Sequence, residues 1–181
     1  DNILIFHYLG PVNLAIYSFA TLIPERFLGL TKSVSTLAFP KLAERKNSIG
    51  KREILLKSLR FTILAGITFL IYFFIAPFIF KIFFPQYMSA IIYSQFYSFM
   101  LVATYSAVMP ITFLLATGAK RKLYIYNLIS PLAWVITMIL LVSYWGIWGL
   151  IIAKGISGLI NVGLSTFLIS FSLPPRAFKF K

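Results

Sequence analysis

Five stretches of this chain, residues 13–39, 54–84, 89–117, 123–144 and 147–173, are apolar and each at least as long as a lipid bilayer is thick. A hydrocarbon core of ~30 Å takes roughly 20 residues of helix. Inside it every backbone N–H and C=O must find its partner within the segment, which selects helix over any open strand. The expectation is an all-α, polytopic membrane helix bundle with five full spans. A sixth, partial span, residues 1–9, precedes them and ends at the turn signal Gly10-Pro11. Composition agrees: 60% of residues are hydrophobic and 12% charged, against roughly 45–50% and 25% in soluble domains. No Ser/Gly-rich linker and no short-period repeat divides the chain, so residues 1–181 read as a single bundle. Asp1 leads straight into Ile3-Leu4-Ile5-Phe6 without the basic segment of a signal peptide, and the chain reads as a fragment entering partway along a helix.

Seventeen Lys and Arg oppose four acids, a net charge of +13. In a soluble domain that surplus would suggest nucleic acid. Here it is gathered into 40–60, 118–122 and the C-terminus (Arg176, Lys179, Lys181), whereas the turns at Gly10-Pro11, 85–87 and 144–148 carry no charge. Cationic loops stay on the cytoplasmic side, so all three basic segments are expected there, in a multi-pass protein of the cytoplasmic (inner) membrane with no nucleic-acid partner. Tyr87, Tyr144, Trp145 and Trp148 fall at the opposite boundary, where amphipathic rings act as anchors.

With no Cys and one His, neither a disulfide framework nor a Cys/His metal site can be assembled, and no Ser/His/acid set can form. Gly118-Ala119-Lys120-Arg121 lacks the spacing of a phosphate-binding loop. No enzyme activity and no cofactor is expected.

Function is sought instead in polar groups at membrane depth, each charge there costing about 2.5–3.5 kcal/mol at a helix centre on insertion scales. Glu25, Arg26 and Lys32 follow Pro24 in the first long span. Glu25 and Lys32 share a face, which Tyr17 and Thr21 extend. Either this face lines a hydrated cavity, with Arg26 and Lys32 attracting an anion and Glu25 holding one of the cations, or it is an ion cluster that fixes packing. In the fifth span Lys154, Gly158, Asn161 and Ser165 form one stripe beside a small-residue ladder, Gly149, Ala153 and Ser157, of the kind that lets membrane helices approach closely. Lys154 has two open readings, cavity and packing. Lys81 reads as snorkelling and His7 as an interfacial residue. Gln95, Ser98, Tyr105, Asn127 and Ser130 either face the interior or bridge helices, and Pro77, Pro110 and Pro131 are kinks or hinges.

Four segments, DNILIF from Asp1, YLGP from Tyr8, LAIYS from Leu14 and LAFPKLA from Leu37 before a basic loop, resemble the start of the second lobe of polysaccharide flippases in the multidrug/oligosaccharidyl-lipid/polysaccharide exporter superfamily. The resemblance implies one six-helix lobe of a two-lobed transporter, the N-terminal lobe being a missing partner of the same chain. It also implies translocation of a polyprenyl-pyrophosphate-linked oligosaccharide in polysaccharide biosynthesis, such as lipopolysaccharide O-antigen or capsule. Cationic cavity residues of that family are thought to meet pyrophosphate or acidic sugars, a role that falls here to Arg26 and Lys32, then Lys154, with Glu25, Asn161 and Tyr17 completing the substrate site. A cation-coupled multidrug exporter of the same fold, and a scaffold subunit with no transport role, are the alternatives.

Overall fold

The computed structural model describes residues 2–45 and 50–170, with the side chains of all of these except 30–32. The expectations placed on Asp1, Lys46, residues 171–173, the basic tail and the Lys32 side chain fall outside them. All regular structure among the described residues is helical: α1 (Asn2–Glu44), α2 (Lys51–Phe83), a 3-10 turn (Pro85–Tyr87), α3 (Ala90–Ser106), α4 (Val108–Ala116) and α5 (Lys120–Ser170). Four helical stretches, Asn2–Glu44, Lys51–Phe83, Ala90–Ala116 and Lys120–Ser170, are long and apolar enough to cross a membrane.

Two of these stretches bend at a glycine. Gly10 adopts φ 79°, ψ 176° within α1, and Gly146 adopts φ 57°, ψ −131° within α5, conformations open to glycine and strained for any residue with a Cβ. At Gly146 the chain doubles back: a Cβ added to Gly149 would overlap the Leu141 carbonyl, a proximity that a straight helix, rising about 1.5 Å per residue, excludes for residues eight apart. The Gly10 bend lies beside it, since a Cβ on Gly146 would meet Leu9 at 3.5 Å. The sequence places both turns at these glycines. Helices run further than expected at their charged ends, however, with α1 continuing to Glu44 and α2 starting at Lys51. Hydropathy marks where lipid would end, and a helix can continue beyond it.

The stretch expected as one span at 89–117 runs from Ala90 to Ala116 with a one-residue interruption at Ala107, between α3 and α4. Pro110 has no N–H to give to the Ser106 carbonyl, and its ring crowds that carbonyl. Ser58 of α2 donates its Oγ–H to it instead. The same solution recurs in reverse in α2, where Pro77 strips the Phe73 carbonyl of its helical donor and Gln95 of α3 supplies Nε2–H at 2.7 Å. At Pro77 and Pro110 the freed acceptor is thus tied by a side chain of the neighbouring helix, one of the ways membrane helices tolerate proline. Gln95 is a bridge between helices; Pro77 lies inside an unbroken α2, and Pro110 lies three residues after the break at Ala107.

Helix α3 is the hub, packed by α1, α2 and α5. Its Tyr97, Leu101 and Tyr105 join Phe69 of α2 and Leu150, Ile151 and Ala153 of α5 in the main core. Close approach depends on glycine: Gly155 faces Met100 Sδ, and a Cβ on Gly158 would lie 2.9 Å from Ala103 Cβ. Of the expected ladder, Gly149 takes a close contact with the other arm of α5, Ala153 is buried in the core and Ser157 lines a cavity, while the close contacts with α3 fall to Gly155 and Gly158 beside it. Large apolar side chains elsewhere point outward, Phe74 and Phe78 of α2 among them.

A second cluster packs Leu42 and Ile54 with Phe113, Leu114, Leu168 and Ile169, and Lys51 Nζ donates to Ser170 Oγ at 2.6 Å. The end of α1, the start of α2, the end of α4 and the end of α5 therefore meet at one end of the bundle. Of the expected boundary aromatics, Tyr144 and Trp145 are exposed. Trp148 instead packs on Tyr93 and Phe96 at centroid distances of 5.1 and 5.2 Å, and Tyr87 stacks on Phe19 at 3.8 Å.

Candidate functional site

Tyr17, Thr21 and Glu25 succeed one another every four residues and so share a face of α1. That face lines a cavity of about 850 Å³ together with Ser18, Leu22 and Arg26, and with Asn2 and Ile3 from beyond the Gly10 bend. The bend brings the first arm of α1 alongside the second and makes it part of the wall.

Glu25 is not paired with Arg26, and the Lys32 side chain, the other cation it is expected to hold, lies outside the described residues. Glu25 makes no ion pair among the described residues; its Oε1 accepts a hydrogen bond from the Tyr97 hydroxyl at 2.9 Å. Arg26, one residue on and therefore about 100° around the helix, lines the same cavity, is exposed, and makes no ion pair among the described residues. Tyr17 is buried, its ring edge-on to Tyr97 at a centroid distance of 6.1 Å, and its hydroxyl is left without a well-formed hydrogen bond.

On the far side of Tyr97 lies Lys154. Its Nζ sits 4.8 Å from the Trp134 ring centroid and 6.0 Å from that of Tyr97, within cation–π range. No carboxylate among the described residues comes within ion-pair distance of it. Beside it is a second cavity, of about 270 Å³, lined by Lys154, Ser157 and Asn161 from one arm of α5, Ser130, Pro131 and Trp134 from the other, and Thr104 of α3. The Gly146 reversal creates this space by setting the two arms face to face. Asn161 Oδ1 is buried without a hydrogen-bond partner, an arrangement that is costly where nothing polar comes to meet it.

The stripe read from the sequence is therefore divided in use. Lys154 and Asn161 face the cavity, Gly158 takes the close contact with α3, and Ser165 is buried with its hydroxyl donated to the Val162 carbonyl of its own helix at 3.1 Å. Of the six expected site residues, Tyr17, Glu25 and Arg26 come together on the larger cavity and Lys154 and Asn161 on the smaller; the Lys32 side chain lies outside the described residues. Tyr97 and Trp134, the two aromatic residues against Lys154, have little signal in the sequence. Tyr97, fully buried and touching both groups, is one of ten tyrosines; its only signal is the eight-residue spacing to Tyr105 along one helix face. Trp134 had a clearer one, since a tryptophan at mid-span lies away from the interface its ring favours.

Chemically, the site offers ammonium and guanidinium donors for an acidic group, an amide with an idle acceptor for a hydroxyl, and a large aromatic face. Fold and site together define an all-helical bundle of membrane-crossing length and apolarity with polar groups lining two cavities, whose residues Glu25 and Lys154 lie on either side of Tyr97. Beyond that class the chain stands alone: no protein-family model, curated protein or solved structure matches it.

Proposed function

We propose that the chain is one lobe of a membrane flippase that carries a polyprenyl-pyrophosphate-linked oligosaccharide across the cytoplasmic membrane. The observation that carries this reading is Lys154, a cation placed over two aromatic rings with no carboxylate at ion-pair distance among the described residues and Glu25 acting on it only from further off, opening onto a cavity that also holds the idle Asn161 carbonyl. A pyrophosphate supplies the negative charge at contact distance that Glu25 does not, sugar hydroxyls supply donors to Asn161, and the Trp134 face suits a sugar ring, while the prenyl tail stays in lipid. Arg26 at the larger cavity extends the cationic surface along the route.

In this reading the Gly10 and Gly146 bends separate spans, giving five crossings and one partial one, with 40–60, 118–122 and the C-terminus in the cytoplasm by the positive-inside rule. A second lobe closes the other half of the cavity, and the two rock about it in alternating access. Polar walls on otherwise apolar helices then serve a headgroup in transit.

Glu25 on the larger cavity favours a second reading, a cation-coupled exporter of organic cations. Titrating the protein in vesicles with a lipid-linked oligosaccharide pyrophosphate and with an organic cation, while following Trp134 emission against a Trp134→Phe control, separates the two. Quenching by the anionic lipid, unaffected by the organic cation, is expected. Quenching by the organic cation alone would overturn the flippase reading. A scaffold without transport would show neither.

A further inference from the structure

At the basic end of the bundle is a third cavity that the transport reading does not use. It measures about 380 Å³ and is lined by Ala38, Lys41 and Leu42 of α1, Lys57, Arg60, Phe61 and Leu64 of α2, and Met109 of α4. Its two halves differ in kind. Lys57 and Arg60, three apart on one face of α2, converge with Lys41 from the last turn of α1, whereas Phe61, Leu64 and Met109 make an apolar floor.

Positive charge is in surplus here. Glu53 is the one acid in an ion pair at this end among the described residues, and it is shared by Lys57 at 3.0 Å and Arg45 at 3.6 Å. Lys41 and Arg60 make no ion pair among the described residues. Along the sequence, Glu44 and Glu53 are the only acids of segment 40–60, against seven cations.

The cavity also sits at a boundary. Arg60 is the last cation of α2 before Lys81, so the change from charged to apolar helix falls at Arg60-Phe61, within the cavity wall. Leu64 is 61% exposed and continues into the outward apolar face with Ile63, Ile67 and Ile71. The opening therefore leads from a cationic rim onto the surface that would face lipid. A free anion would find cations but no use for the floor.

We propose that this cavity holds an anionic phospholipid of the membrane, its phosphate among Lys41, Lys57 and Arg60 and its acyl chains along Phe61, Leu64 and Met109. Basic pockets between membrane helices take up acidic headgroups in this way. The site is separate from the two cavities around Tyr97 and does not depend on what they carry.

The test is lipid retention by the full chain in detergent, read by native mass spectrometry after exposure to equal amounts of phosphatidylglycerol and phosphatidylcholine. Wild type is expected to retain phosphatidylglycerol preferentially. Each cation near a charged headgroup is worth about fivefold in binding, so Lys41→Gln with Arg60→Gln is expected to weaken retention about 25-fold. Lys120→Gln with Arg121→Gln, which removes the same charge from the exposed start of α5, is expected to leave it nearly unchanged. Should the first double variant lose helix by circular dichroism, Arg60→Gln alone decides, with about a fivefold loss expected. Equal losses in both double variants would overturn the proposal, as would equal retention of both lipids or displacement by inorganic phosphate. The last outcome would mark a free-anion site.

Discussion

Replacing Gly149 by Ala tests the reversal that builds the smaller cavity. The added Cβ would overlap the Leu141 carbonyl and lie 3.0 Å from the Val142 nitrogen, where non-bonded atoms prefer about 3.5–4.0 Å. Neither obstacle is the end of a flexible side chain, so the two arms of α5 must separate by roughly an ångström or more. Overpacking of this kind costs about 1–3 kcal/mol and occasionally more, and contact with rigid backbone puts Gly149→Ala at the top of that range. For a chain of this length, about 3 kcal/mol lowers Tm by roughly 6–12 °C. Gly163, on the same arm with nothing within 4 Å of an added Cβ, is the control. Gly163→Ala gains helix propensity worth up to about 1 kcal/mol, and a Tm raised by about 2–4 °C is expected. Thermal unfolding in detergent, followed by tryptophan emission, reads both. A Gly149→Ala protein as stable as Gly163→Ala would refute the antiparallel packing of the α5 arms.

Further outcomes follow from the hydrogen bonds. Gln95→Leu leaves the Phe73 carbonyl without a donor beside Pro77, and Ser58→Ala does the same for Ser106 beside Pro110; each is expected to cost about 0.6–1.7 kcal/mol. The sites lie far apart along α2, so the double variant should unfold at the sum of the two losses, and a marked departure would place the bonds in one network. Tyr97→Phe removes the O–H given to Glu25 but keeps the ring against Lys154 and Tyr17. Because water from the cavity can reach Glu25, a loss of about 1 kcal/mol is expected, below the range for buried bonds to charged groups; Tyr97→Ala should lose about 3–5 kcal/mol through the emptied core. Equal losses in the two variants, measured by the same unfolding assay, would contradict this division of roles.

The helices were legible in the sequence because apolar length has one solution in lipid. Both reversals were legible because Gly10 and Gly146 stand where charge-free turns were needed. Helix ends were less so: nothing in hydropathy forbids α1 from running through Pro40 to Glu44. The Glu25-to-Tyr17 face of α1 and the Lys154 stripe of α5 were also readable, since spacing fixes a helix face. Partners were not. Spacing puts Glu25 near Arg26 and Lys32 on its own helix, but that Tyr97 of α3 reaches it is decided only by which helix packs opposite. The same limit hid Trp134, which meets Lys154 because α5 folds back on itself. The break at Ala107 was written in Pro110, but Ser58, the residue that makes the break tolerable, lies on another helix.

The central claim is that Lys154 awaits an acidic group, and its most direct measurement is the affinity of the purified protein for a polyprenyl-pyrophosphate-linked sugar, wild type against Lys154→Gln. A hydrogen bond to a charged group is worth about 1.5–3 kcal/mol, so binding about 10- to 150-fold weaker in a variant of unchanged helix content is expected. Equal affinity in the two proteins would contradict the account.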